Sequence, residues 1–231
     1  MAFYPSDSIR LNHMRFAETV QDLLKGSSLT RSAFNRTLPR ISALSGRILD
    51  VGGTRVPMAS YYRYLAIDDV RMVEVLNIVD SVGADIVADA ATIPCETARY
   101  DAAICFNVLE HVARPQHVLS EVRRVIKTDG RFILMVPFLH RVHGDPDDYF
   151  RYTESGLRVL FTDAGFSIRS ILVLGKGPLT AALAQWQTLV PGWMSLPFFA
   201  ICYALDGWYI RLRPKQAQNW PLGYLVEARA I

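Results

Sequence analysis

The stretch "ILDVGGTRVP", residues 48–57, decides how the chain is read. An apolar run ends in an acid and two glycines follow, the pattern of a buried strand entering a cofactor-binding turn. A dinucleotide turn carries G-x-G-x-x-G, its third glycine letting a helix pack closely on the sheet. Here those three positions hold Gly52, Thr54 and Pro57, and no lysine stands where a phosphate-binding loop needs one. Asp50, just before the turn, would repel a pyrophosphate. It suits a ligand that carries positive charge at that point.

Short apolar runs recur along the chain at 47–51, 64–68, 84–89, 100–106, 131–138, 166–174 and 222–231. Between them lie helical patterns. One has Pro115 in its first turn, apolar spacing at Val118, Val122, Val125 and Ile126, and Gly130 as its stop; another is capped by Thr153 and runs to Gly165. Nearly continuous apolar strands alternating with helices predict an α/β fold, a mostly parallel sheet covered on both faces. Ligands of such sheets bind at the carboxyl ends of the strands, and Asp50, Asp68 and Asp89 each end an apolar run. S-adenosylmethionine offers an ammonium, a sulfonium, a ribose diol and an adenine, and three acids at one sheet edge suit it. Asp68, placed near the spacing of about 20 residues at which a ribose-binding acid follows the turn, is expected to accept from the diol, and Asp89 from the adenine amino group. Pro57 is tolerated only in a first helical turn, so the helix after the turn is expected to start late and be short.

These segments resemble the class I S-adenosylmethionine-dependent methyltransferases, specifically the methyltransferase type 11 kind, over about residues 46–175 and again at 222–230. "ILDVGG" looks like motif I, "YLAID" like the second-strand motif, and "VADAATIPC" like the adenine-side segment. "YDAAICFNVLEHVARPQHVLSEVRRVIKTDGRFILMVP" is the most specific match, and "HGDPDDYFRYTESGLRVLFTDAGF" resembles a subgroup with an H..P.DYfRyT pattern. The resemblance implies a Rossmann-like seven-stranded sheet in the order 3-2-1-4-5-7-6 with one antiparallel strand. It implies that Asp50, Gly52 and Gly53 line the methionine end of the cofactor, that Asp68 takes the ribose, that Asp89 and Ala90 border the adenine, and that Asn107 and Val108 close the pocket floor. Motif I departs from the family's D-x-G-x-G. Either Thr54 stands at the second glycine position, or one residue is deleted and Gly53 serves.

Methyl transfer needs a nucleophile held in line, and a hydroxyl acceptor also needs a base, for which histidine is suited near neutral pH. His140 and His143 lie in "PFLHRVHGDPDDYFRY", after the fifth predicted strand, where the acceptor is expected; His111 follows Glu110 in "LEHV". His143 is the first choice as base or acceptor ligand, with His140 and His111 beside it. Asp145, Tyr149, Arg151 and Tyr152 of the same loop are expected to bind substrate. No recurring metal-ligand spacing is present, so no metal is expected.

The 231 residues include 51% hydrophobic and 20% charged, enough for one good core. A net charge of +3 is too small to argue for nucleic acid. The first 49 residues hold seven of the cations against three acids, and a basic helical arm is expected over 1–45, with helices at 8–24 and 31–44. The methyltransferase domain is expected over 46–231, with an apolar helical insert at 178–214. Residues 179–205 contain no charge, and Arg211, Arg213 and Lys215 follow. Core or dimer packing, contact with a membrane surface, and a lid over a lipophilic acceptor are the readings open for it. Three scattered cysteines and no apolar run after a basic start fit a cytoplasmic protein, with association at the membrane's cytoplasmic face as one reading. The leading expectation is O-methylation of a small molecule, glycan or lipid-linked saccharide, giving S-adenosylhomocysteine. Its rivals are a non-catalytic binding or scaffold protein with a degenerate cofactor loop, and an NAD(P)-dependent oxidoreductase.

Overall fold

The computed structural model describes residues 9–144, 146–190 and 192–231, with residues 9–13, 188, 192 and 217 described by backbone alone. The strands are β1 (Ile9–His13), β2 (Ile48–Val51), β3 (Val73–Asn77), β4 (Ile86–Val87), β5 (Tyr100–Phe106), β6 (Ile126–Pro137), β7 (Phe166–Gly175) and β8 (Gly223–Ala230). The helices are α1 (Phe16–Leu24), α2 (Leu29–Asn35), α3 (Pro115–Val125), α4 (Glu154–Asp163), α5 (Pro178–Trp186) and α6 (Leu196–Leu212).

All eight strands join one sheet in the order β1-β7-β8-β6-β5-β2-β3-β4. Among the described residues, only β8 runs antiparallel to its neighbours. From β4 to β7 this is the seven-stranded order 3-2-1-4-5-7-6 expected from the resemblance, and β1 adds an eighth strand beside β7.

Three sequence expectations need correction. The second strand is Val73–Asn77, not 64–68; the latter segment makes one bridge, Leu44 to Ile67, and a 3-10 turn precedes it at Ser60–Arg63. "VEVLN" won because its β-branched residues fill the pleat between β2 and β4. The helix containing Pro115 stops at Val125 rather than Gly130, since Ile126 is already a strand residue. The expected helix over 8–24 begins later, because the residues before α1 pair with β7. Residues Ile9–His13 are a strand of the main sheet, and α1 and α2 belong to the core.

Alternation along each strand divides the interior in two. Leu49, Val51, Ala103, Cys105 and Leu134 face one side, where α3 and α4 supply Val118, Val122, Val125, Leu157 and Phe161. Ile48, Ala102, Ile104, Ile133 and Met135 face the other, where α1, α2, α5 and α6 supply Leu23, Phe34, Ala181 and Phe199. Between β2 and β4 there are only 3-10 turns. The second face is therefore covered by the two ends of the chain, brought together in space.

That covering is fixed by polar contacts. The buried Asp22 of α1 accepts from Ser32 Oγ at 2.7 Å and from Arg36 Nη2 at 2.7 Å, which ties α1 to α2 and neutralises one cation of the basic segment. Phe16 stacks on Phe199 at 5.6 Å, and Tyr203 Oη donates to Met14 O at 2.7 Å. Asp206, fully buried in α6, accepts from the backbone N–H of Leu179 at 3.0 Å, from that of Thr180 at 2.8 Å and from Thr180 Oγ1 at 2.7 Å. It thus caps the N-terminus of α5 and ties α5 to α6 as a packed pair.

The pair has a second face. Phe198, Ile201, Leu205, Trp208 and Leu212 recur at three- and four-residue spacing along α6 and are 48–64% exposed. Among the described residues no helix is long and apolar enough to cross a membrane.

Replacing Asp206 by Ala takes the acceptor from the backbone N–H groups of Leu179 and Thr180, while Thr180 Oγ1 keeps Gly177 O at 3.1 Å. The expected cost is about 3 kcal/mol, read as a lower urea midpoint. An unchanged midpoint would show that the two helices hold together without this cap.

Candidate active site

The carboxyl ends of β2, β3, β5 and β6 form one edge, as the parallel arrangement requires. Asp50 sits on β2 facing the second core, with no exposed surface. Its Oδ2 accepts from Tyr61 Oη at 2.6 Å and from Tyr62 Oη at 2.5 Å, while Oδ1 is buried without a partner. Burial pushes its carboxyl up to about 6, against the opposing effect of the two tyrosine hydroxyls. Sequence reading missed both tyrosines, which come from the turn standing where a helix follows the first strand in other α/β folds.

The turn itself depends on its glycines. Gly52 has φ +77°, and a Cβ there would strike the Val108 side chain; a Cβ on Gly53 would strike the Asp50 carboxylate. Gly52 and Val108 thus bring the β2 and β5 loops into contact. Thr54 does not take a left-handed conformation; its Oγ1 donates to Pro57 O at 2.8 Å and closes the turn. Asn107, at φ +54°, ends β5.

Asp68 lies away from this edge. Its backbone N–H donates to Leu44 O at 3.0 Å, and it is exposed. The neighbouring carbonyls of Ser42 and Ala43 accept from Arg131, which pairs with Ala102 in the row of Ile48 at the entry of the strands. The residue that ends the second strand is Asn77. It donates from Nδ2 to Gly53 O at 2.9 Å, and its Oδ1 accepts from Val79 N at 2.9 Å. Its signal in the sequence is an Asn, rather than an acid, after the run at 73–76. Asp89 stands two residues beyond β4, exposed, with Oδ1 accepting from Ala91 N at 2.8 Å; Ala90 beside it is half-buried.

The three histidines chosen from sequence do come together. The His111 and His143 rings are 4.9 Å apart, and those of His140 and His143 4.7 Å. His111 Nδ1 lies 2.6 Å from Asp147 O, His140 Nδ1 3.0 Å from Arg141 O and His143 Nδ1 3.3 Å from Arg141 O. A carbonyl can only accept, so the ring proton sits on Nδ1 in each and Nε2 keeps its lone pair. Burial lowers the pKa of His140.

The loop holding them is braced from inside. Asp148 is held far below the usual carboxylate range, first by the Arg151 guanidinium, whose Nη2 is 2.6 Å away, and further by the His143 backbone N–H at 2.8 Å. Tyr152 is buried and donates to Leu109 O at 2.9 Å. Arg151 and Tyr152 therefore support the loop, whereas Tyr149 is exposed on it, donating to Asp147 Oδ2 at 3.0 Å. Asp145 lies outside the described residues. A cleft of about 300 Å³ opens against His111, His140, His143, Asn107, Met135 and Pro137 on one side and Ser28, Thr30, Arg31 and Phe34 on the other. The N-terminal segment thus walls the histidine cleft, a role its sequence did not announce.

Residues 49–134 match the family model described as "Methyltransferase domain". No protein of curated function matches the chain in sequence. Among solved structures, a 1,6-didemethyltoxoflavin-N1-methyltransferase of Burkholderia thailandensis, bound to 1,6-didemethyltoxoflavin and S-adenosylhomocysteine, is 17% identical at a TM-score of 0.52, over 91% of this chain and 81% of that one. A geranyl diphosphate C-methyltransferase of Streptomyces coelicolor A3(2), in complex with Mg2+, geranyl diphosphate and S-adenosyl-L-homocysteine, is 15% identical at 0.55, over 87% and 78%. The [4+2]-cyclase SpnF is 18% identical at 0.54, over 87% and 81%. One sheet topology therefore serves N-methylation, C-methylation and a cyclisation.

The burial of Asp50 makes stability depend on pH. Its folded pKa of about 6 stands above the unfolded value of about 3.9, so the folded state holds the proton more tightly. The resulting stability is fully present below the unfolded value and is lost as pH rises through about 6. The loss is of order 3 kcal/mol, at about 1.4 kcal/mol per pKa unit. Asp50→Asn is therefore expected to gain on the wild type between pH 4 and 6 in urea denaturation and to hold that advantage above. A pH-independent difference would show that Asp50 stays charged in the folded chain. Residues 49–134 match the methyltransferase-domain model, and the chain carries the fold of the class I S-adenosylmethionine-dependent methyltransferases.

Proposed function

We propose that the chain transfers a methyl group from S-adenosylmethionine to an oxygen of a small molecule, glycan or lipid-linked saccharide seated in the histidine cleft. The observation that carries the reading is the orphaned Oδ1 of Asp50, a buried acceptor beside two glycines that tolerate no side chain. Such an atom fits a cationic ligand group, and the methionine end of the cofactor has an ammonium. Asn77 keeps one amide proton and one lone pair beyond its internal bonds, which suits a ribose diol, and the free Oδ2 of Asp89 suits an adenine amino group. The cofactor, when bound, supplies a methyl already activated by the sulfonium. The chain's own part is to hold the acceptor in line, and a bare Nε2 of His143, with His140 and His111 beside it, can take a hydroxyl proton there. Arg151 holds the base in place through Asp148 rather than touching the acceptor.

Calorimetry with S-adenosylhomocysteine tests this. Binding at micromolar strength is expected, abolished by Asp50→Ala, weakened by Asn77→Ala and untouched by Asp68→Ala. Affinity should fall as pH drops below about 6, because a protonated Asp50 no longer attracts the ammonium. The two tyrosine hydroxyls on Asp50 favour a second reading, a non-catalytic protein whose cofactor loop has closed on itself. No binding by wild type and restored binding on Tyr62→Phe would favour it.

The outer face of α6 supports a peripheral contact with an anionic membrane. Its apolar stripe is flanked by exposed Trp186 and Trp193 and followed by exposed Arg211, Arg213 and Lys215, an arrangement suited to the headgroup boundary. Flotation with vesicles containing phosphatidylglycerol is expected to carry the protein, and neutral vesicles to carry less. Phe198→Ser with Trp208→Ser should abolish flotation. A concentration-dependent dimer that masks the stripe and ignores vesicles would replace the membrane by a second copy of the chain.

A further inference from the structure

We propose that Glu110, His111 and His143 form a binding site for a divalent transition-metal cation of the zinc type at the edge of the histidine cleft. One ligand atom from each lies within 4.8 Å of the others. Bonds of about 2.0–2.2 Å to such a cation need only a small inward movement of these side chains. Two imidazoles and one carboxylate are a donor set for cations that accept nitrogen, in preference to Mg2+ or Ca2+.

Two observations separate this group from an incidental cluster. Glu110 has no exposed surface, yet neither of its carboxylate oxygens has a hydrogen-bond partner. Buried carboxylates are nearly always satisfied, and its closest polar neighbour in the group is His111 Nε2 at 3.8 Å from Oε1. The nearby guanidinium of Arg151 is engaged by Asp148 instead. A cation would satisfy what the protein leaves open. Further, both imidazoles are oriented from behind. His111 Nδ1 donates to Asp147 O, and His143 Nδ1 faces Arg141 O at 3.3 Å and Asp148 Oδ2 at 3.4 Å. Metal-binding histidines are held in this way, with one nitrogen fixed by a carbonyl or carboxylate and the other left to the ion.

Sequence spacing could not find the site, since Glu110 and His111 are adjacent and His143 comes from another loop. With the cation bound, His143 Nε2 is a ligand and the Nε2 of His140 is the one left to take the acceptor proton, while the open positions of the cation facing the cleft would bind and orient an oxygen of the acceptor. That role rests on the methyltransferase reading; the binding itself does not.

The test is calorimetric titration of the chelator-treated full-length protein with ZnCl2, with MgCl2 as control. One Zn2+ per chain is expected, with Mg2+ unable to compete. Glu110→Gln and His143→Ala should each weaken Zn2+ binding at least about tenfold, while His140→Ala, adjacent to the donor set but outside it, should not. Because Glu110 is buried, the half-exposed His143 variant decides the matter if Glu110→Gln melts early. S-adenosylhomocysteine affinity is measured on the same samples. Cofactor binding without a Zn2+ signal overturns the metal site alone, as does Zn2+ binding that survives both ligand substitutions. Zn2+ binding without cofactor binding supports the site and sinks the methyltransferase reading.

Discussion

A parallel sheet must be covered on both faces, and this chain meets that demand in an uneven way. On one face α3 and α4 lie between consecutive strands, as parallel connections usually place them. On the other, the segments joining β2, β3 and β4 contain only 3-10 turns. The apolar side chains of Ile48, Ile104, Ile133 and Met135 would meet water there. They are covered by α1 and α2 from the start of the chain and by α5 and α6 from near its end. Much of what is particular to this protein follows from that division.

The substitute cover reaches the site. With no α-helix after β2, Tyr61 and Tyr62 drop onto Asp50 and take one oxygen of its carboxylate. The other is left buried without a partner, and burial raises the proton affinity of the group. A neutral Asp50 is the cheaper folded state, whereas a charged one is the state that attracts a cationic group. On the proposed function, stability and cofactor recognition are opposed at this residue, as is common where a buried titratable group serves function. The N-terminal segment also supplies Thr30, Arg31 and Phe34 to the histidine cleft. The same short helix, α2, thus covers the core and walls the cleft.

The loop after β6 is ordered by a small network rather than by regular structure. Arg151 pairs with Asp148, Asp148 receives the His143 backbone N–H, and Tyr152 anchors to Leu109 O. The Leu109–His111 turn and the described residues of the loop after β6, 138–144 and 146–153, are thereby locked to each other, which is why His143 meets Glu110 and His111 from a distant part of the sequence. Rigid loops on a sheet edge are where such folds place their chemistry.

The sequence by itself determined the alternation of strands and helices, the turn at "DVGG", the helix start at Pro115, the cap at Thr153 and the loop with His140 and His143, because these depend on local periodicity and on motifs contiguous in the chain; the sheet order came with the family resemblance. It misled where an acid after an apolar run looked like a strand end: Asp68 belongs to the entry side, and Asn77 holds the position. Only the tertiary structure decided that 9–13 is a strand, that the ends of the chain form one cover, and that Asp206 binds α5 to α6. It alone set Tyr61 and Tyr62 on Asp50 and left Glu110 buried without a partner. Those outcomes depend on which surfaces remain uncovered after the local elements have formed, and no window of sequence carries that information.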